Sequence, residues 1–224
     1  EYIMNKALRS NVSMRELAED AISRKYAIPA FCAWNAELVD AILRIATDNR
    51  SPVIMMSGPG EFSLLPPEAQ VAVVHGLRKR YAVPSVVHLD HGESLEQVRR
   101  CVECGYDSVM IDYSHRPIEE NITVVCQAVQ LAHARNVSVE SELGAIGRAD
   151  AATTEGGDRS VFTRPEDAER FVKETRTDLL APSIGNAHGL YKGKPQLDFQ
   201  LLARIRESTA VPLVLHGGTG LPRE

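Results

Sequence analysis

Three histidines each stand at or just after the end of an apolar run of strand character: His91 in HLDHG, His188 in SIGNAHG and His216 in LVLHGG. Neutral imidazole is a preferred zinc ligand, and a catalytic zinc takes three protein ligands and leaves a position open. A single histidine at a strand end is more often a hydrogen-bonded wall residue. Three on one expected rim, two of them beside glycines, read as a ligand set. Asp90 adjoins His91, and two roles fit it: general acid/base beside a polarised carbonyl, or orientation of the neighbouring imidazole. Asp112 and Glu142 also fall at the ends of apolar runs. Each fits a hydrogen-bond partner of a ligand, an alternative metal ligand, or a rim hydrogen bond. Gly189, Lys192 and Gly193 follow His188, and Gly217, Gly218 and Gly220 follow His216. Small residues let backbone N–H groups converge on an anion such as phosphate.

These residues need strands to carry them. Runs suited to strands are IPAFC (28–32), PVIMM (52–56), SVVHLD (85–90), DSVMID (107–112), VSVESE (137–142), DLLAPSI (178–184) and VPLVLH (211–216). Each is too continuously apolar for a strand with one wet face, which predicts a parallel sheet covered by helices. Helix starts lie between them. Ser13 with Glu16, Ser94 with Gln97 and Thr163 with Glu166 fit capping boxes. Asn35 is a cap and Pro66–Pro67 a first turn. Gly105 suits a helix stop at positive φ. Alternating strands and helices at this spacing predict an α/β fold. An open doubly wound sheet places its main site at one switch point. A (β/α)₈ barrel gathers all strand ends at one mouth. Polar residues at the ends of five runs favour the barrel, as a single domain over 1–224. Only GGTGLPRE follows His216, so the eighth βα unit is missing from this sequence.

Composition bounds the function. The apolar share of 44% and charged share of 25% are those of a globular protein. The formal charge of −5 gives no reason to hold nucleic acid or an anionic membrane. No apolar run approaches a membrane span, and the first residues lack a signal-peptide pattern. Four cysteines make no disulfide scaffold, so a reducing, cytoplasmic setting is expected. Cys101-x-x-Cys104 falls late in a predicted helix, where the dipole does not support a thiolate. It reads as packing. Residues 147–161 lack a core-forming period and read as a mobile loop.

HLDHG (88–92), SVMIDYS (108–114) with EEN (119–121), VESELG (139–144), SIGNAHGLYKG (183–193) and LVLHGGTGLP (213–222) resemble, together and in order, the class II zinc-dependent fructose- and tagatose-bisphosphate aldolases. The resemblance implies a (β/α)₈ barrel, usually a homodimer or homotetramer, acting on a phosphorylated sugar. It implies Zn²⁺ held by His91, His188 and His216, and Asp90 as the acid/base at the hydroxyl of the cleaved C–C bond. Glu142 and Asp112 match positions that can hold a displaced or second metal. Gly189, Lys192, Gly217 and Thr219 match loops that hold the ketose phosphate and a monovalent cation, Na⁺ or K⁺. Cleavage then passes through a zinc-stabilised enediolate, for which a Lewis acid serves in place of a lysine Schiff base.

The chain also departs from that family. Cys32, Met56 and Gly58 stand where it usually has Asn, Gln and Ser. The usual acid of the mobile loop falls to Asp150 or Glu155. Two alternatives are therefore carried: a metal-dependent barrel hydrolase or isomerase, and a non-catalytic sugar-phosphate-binding homologue.

Overall fold

The computed structural model describes residues 12–146, 161–189, 191 and 193–221. The expected loop 147–161, with Asp150 and Glu155, lies outside the described residues except for Val161, as does Lys192.

Six of the seven expected runs are strands: β1 Ala30–Cys32, β2 Val53–Ser57, β3 Ser85–Gly92, β4 Ser108–Ile111, β5 Ser138–Leu143 and β6 Leu179–Pro182. They form a sheet in the order β1-β2-β3-β4-β5-β6, and the pairings β1–β2, β2–β3, β3–β4 and β5–β6 are parallel. Every residue of β4, β5 and β6 is buried, which accounts for the apolar and small residues of β4 and β6, while β5 buries two carboxylates, Glu140 and Glu142.

The seventh run is a correction. It makes one isolated bridge, Leu180 to Leu213, held by Leu180 N–H to Pro212 O at 3.0 Å and Val214 N–H to Leu180 O at 2.9 Å. Extending that ladder one way needs an N–H at position 182, and the other way an N–H at position 212. Both are proline and have none to give.

Among the described residues, seven α-helices alternate with the strands: α1 Met14–Arg24, α2 Ala36–Asp48, α3 Pro67–Leu77, α4 Leu95–Cys104, α5 Ile118–His133, α6 Pro165–Thr175 and α7 Phe199–Ser208. Ser13 and Glu16 close a full capping box on α1. Asn35 caps α2 through Leu38 N–H at 2.8 Å. Gly105 ends α4 at φ 103°. Two caps differ from expectation. Ser94 caps α4, but Gln97 turns to Glu93 N–H at 2.7 Å, so the box is only half made. Thr163 does not cap α6. Pro165 starts that helix at its first position with Arg164 as the cap. The Thr163 hydroxyl instead donates to Leu143 O and accepts from Ser183 N–H at 2.8 Å, tying β5 to the end of β6.

Packing divides the described residues into two compact units, one within 12–111 and 128–139, the other within 112–127 and 140–221. The first has Leu17, Leu43, Met55, Leu89 and Tyr106 in its core, and the second has Phe171, Leu180, Ile184 and Ile205. The Tyr106 hydroxyl pairs with Ser57 Oγ at 2.9 Å. Buried Arg78 holds Asp107 at 3.1 Å, while Asp107 also accepts from Val87 N–H at 2.9 Å. Cys101 is buried in α4, and Cys104 donates to Cys101 O one turn back. Burial pushes both thiols up, so the pair serves packing as expected.

Candidate metal centre

In the first unit, Asp90 and His91 end β3. On a regular strand two neighbours point to opposite faces. Here Leu89 pairs with Val109 and Gly92 with Ile111, so three steps on β3 oppose two on β4. That is a β-bulge, and His91 takes its left-handed position at φ 44°. The bulge redirects both side chains, leaving Asp90 Oδ1 3.8 Å from His91 Nε2. Gly92 makes the turn possible. A Cβ there would lie 2.5 Å from Met110 O.

Cys32 and Met56 are register partners at the ends of β1 and β2. Desolvation, then the charges of Asp90 and Glu61, push the Cys32 thiol up to about 11. Gly58 N–H donates to Glu61 Oε2 at 2.8 Å. A Cβ at Gly58 would stand 3.0 Å from Asp90 O and 3.3 Å from that carboxylate.

In the second unit, Glu142, His188 and His216 bring one ligand atom each to within 4.8 Å of one another. The His188 and His216 rings meet edge to face with centroids 5.5 Å apart. Glu142 is buried on β5. It accepts from the Ser114 hydroxyl at 2.8 Å and from Ile146 N–H at 3.3 Å. The same hydroxyl lies 2.8 Å from Asp112 Oδ1, so Asp112 stands one hydroxyl away from Glu142. Its carboxylate is not in the ligand group.

The loops after β6 and after the seventh run are latched together. Asn186 Nδ2 donates to His216 O at 3.1 Å. The Tyr191 oxygen accepts from Ala187 N–H at 2.8 Å and donates to Gly217 O at 3.3 Å. Gly217 has φ 72°, and a Cβ on it would fall 2.2 Å from Ala187 O. Gly189 is also left-handed, at φ 95°. Gly218, Thr219 and Gly220 form a 3₁₀ turn, and the first two are exposed.

Glu140 was not a candidate on sequence. It lies two residues before Glu142, buried on the same strand, and its Oε1 accepts from His216 Nε2 at 2.8 Å. The motif VESE holds the only hint: a strand of period two puts both carboxylates on one face.

Two imidazoles and a carboxylate are the nitrogen and oxygen donors that zinc accepts, so these residues fit the expected ion.

A family model described as fructose-bisphosphate aldolase class-II matches residues 12–224. Among solved structures, the chain is 34% identical to the YdjI aldolase of Escherichia coli K12, at TM-score 0.84, covering 94% of this chain and 74% of that one. It is 34% identical to a putative fructose-1,6-bisphosphate aldolase of Coccidioides immitis, at TM-score 0.81, covering 96% and 75%. Fructose-bisphosphate aldolase of Campylobacter jejuni is 25% identical, at TM-score 0.78, covering 93% and 71%. The likeness bears out the α/β barrel class expected from the strand pattern. This chain belongs to the class-II fructose-bisphosphate aldolase family.

Proposed function

We propose that the protein is a metal-dependent aldolase that cleaves and forms a C–C bond of a phosphorylated ketose. The observation that carries this reading is the group of Glu142, His188 and His216, gathered at strand ends in a chain of an aldolase family. His188 and His216 hold the metal with His91, which the bulge of β3 turns out of the strand's alternation. Glu142 is a further ligand, and Asp112 supports it through Ser114. A bound zinc supplies Lewis-acid polarisation of the ketose carbonyl. Asp90 takes the proton from the hydroxyl on the carbon beyond the breaking bond. That hydroxyl becomes the carbonyl of the departing aldehyde, and the C–C electron pair passes to the ketone fragment. Reversal returns the proton from Asp90. The left-handed glycines Gly189 and Gly217, with Lys192, Gly218 and Thr219, bind the phosphate through backbone N–H groups and one cation.

The substrate differs from fructose 1,6-bisphosphate. Cys32 and Met56 offer no strong hydrogen-bond partner where the family usually has Asn and Gln. A site that lacks a partner for a hydroxyl stops rewarding that hydroxyl. A serine at position 58 would also crowd the Glu61 carboxylate. A ketose with one phosphate and a missing or oxidised hydroxyl suits this wall.

The test is a panel of phosphorylated ketoses, assayed for aldehyde release together with zinc content by elemental analysis. One zinc per chain and cleavage of a member of the panel are expected. No metal after reconstitution, or no cleavage by the zinc-loaded protein, would overturn the reading. A kcat/KM on fructose 1,6-bisphosphate at or above about 10⁴ M⁻¹s⁻¹ would sink the altered substrate alone.

A further inference from the structure

We propose that Glu140 is a positioning residue that fixes which nitrogen of His216 faces the metal. The proposal rests on the metal reading above. Strand β5 puts Glu140 and Glu142 on one face and sends Ser141 to the other, where its hydroxyl donates to Thr177 Oγ1 at 2.9 Å. Both carboxylates are almost wholly buried, at 2% and 1% exposure. A buried carboxylate is costly unless donors surround it. Glu142 has the Ser114 hydroxyl and Ile146 N–H. Glu140 has His216 Nε2 at 2.8 Å, with the two side chains only 3% and 8% exposed.

The consequence is a choice of tautomer. A carboxylate oxygen accepts, so His216 Nε2 carries the proton. In a neutral imidazole the lone pair is then on Nδ1, the atom able to bind a metal. The backbone is held as well, because Asn186 donates to His216 O at 3.1 Å. Gripped at its carbonyl and at Nε2, the ring has little freedom left. Carboxylates that hold a ligand imidazole in this way are typically worth 10–100-fold in metal affinity. Glu140 and Glu142 thus do different work on one strand face: Glu142 offers an oxygen to the ion, and Glu140 offers one to a ligand of the ion.

The experiment measures Zn²⁺ affinity by competition with a chromophoric chelator for the whole chain, as wild type, Glu140→Gln and Glu140→Ala. Glu140→Ala is expected to weaken Zn²⁺ about 10–100-fold. Glu140→Gln keeps an acceptor oxygen and is expected to recover most of that loss. The d–d spectrum of the Co²⁺ form should change in the alanine variant and be nearly restored in the glutamine variant. Ring ¹⁵N shifts of histidine-labelled, zinc-loaded wild type should show His216 bound through Nδ1 and protonated at Nε2. This last measurement stands even if Glu140→Ala fails to fold. Zinc on Nε2, unchanged affinity in Glu140→Ala, or an equal loss in both variants would overturn the proposal. Wild type that binds no Zn²⁺ would overturn the metal reading and this proposal with it. Tight wild-type binding with an indifferent Glu140→Ala would overturn this proposal alone.

Discussion

Gly92 and Asp90 show how much rests on single residues at the end of β3. The close approach of Gly92 to Met110 O leaves no room for a methyl group, and a Cβ would also press on Leu89 Cδ2 at 2.9 Å. Gly92→Ala is expected to cost about 1–3 kcal/mol, the usual range for overpacking, read from the urea midpoint. Activity should fall with it, because the same bulge aims Asp90 and His91. Asp90→Asn separates chemistry from metal binding. With Asp90 as the proposed proton carrier, the variant is expected to lose about 10²–10⁴-fold in kcat, while zinc content should stay at the wild-type level. A near wild-type rate would move the role to another acid. The same variant has a second readout. The Cys32 thiol is pushed up to about 11 by desolvation and by Asp90 and Glu61. It is therefore protonated at neutral pH and should react slowly with iodoacetamide, faster as pH rises toward 11. Removing the Asp90 charge lowers that pKa, so Asp90→Asn should be alkylated faster at pH 8.

At the scale of elements, ordinary hydrogen bonding and two prolines shape the rim. Thr163 gives up its expected cap to join Leu143 O and Ser183 N–H. Thr163→Val would keep the shape and strip a buried acceptor and donor of their partner. A loss of about 1–3 kcal/mol is expected for such groups, again measured in urea. Pro182 and Pro212 confine the seventh run to one bridge with β6. The segment beyond that bridge is held by side chains and tight backbone contacts instead: Asn186 to His216 O, Tyr191 to Gly217 O, and the close passage of Gly217 past Ala187 O. These contacts were not legible in the sequence. NAHG and HGG announce flexible backbone, but not that one glycine must pass against the alanine before the other histidine.

For the whole molecule, the proposed metal binding is linked to stability. An ion that binds the folded chain at a hundred times its Kd adds about 2.7 kcal/mol. In a chain of this size each kcal/mol moves Tm by about 2–4 °C. Saturating Zn²⁺ is therefore expected to raise Tm by about 5–11 °C over the chelated protein, and His188→Ala should abolish most of that rise. A scan in which zinc leaves Tm unchanged would contradict the metal centre. No described helix is long and apolar enough to cross a membrane.

The sequence by itself determined the alternation of strands and helices and the helix ends at Ser13, Asn35, Pro66, Ser94 and Gly105, and it marked the three histidines with Asp90 as candidates. These are local matters: burial on both faces imposes continuous apolar runs, and caps depend on residues three or four apart. Only the tertiary structure decided what a neighbour far along the chain imposes. The β-bulge that turns Asp90 and His91 is one extra residue against β4, invisible in the pattern of β3 alone. The seventh run fails as a strand because Pro182 of its partner, as well as its own Pro212, has no N–H to extend the ladder. Glu140 gains its meaning from a histidine 76 residues away. A strand pattern says that a carboxylate is buried, but which donor satisfies it is settled only when the chain folds back.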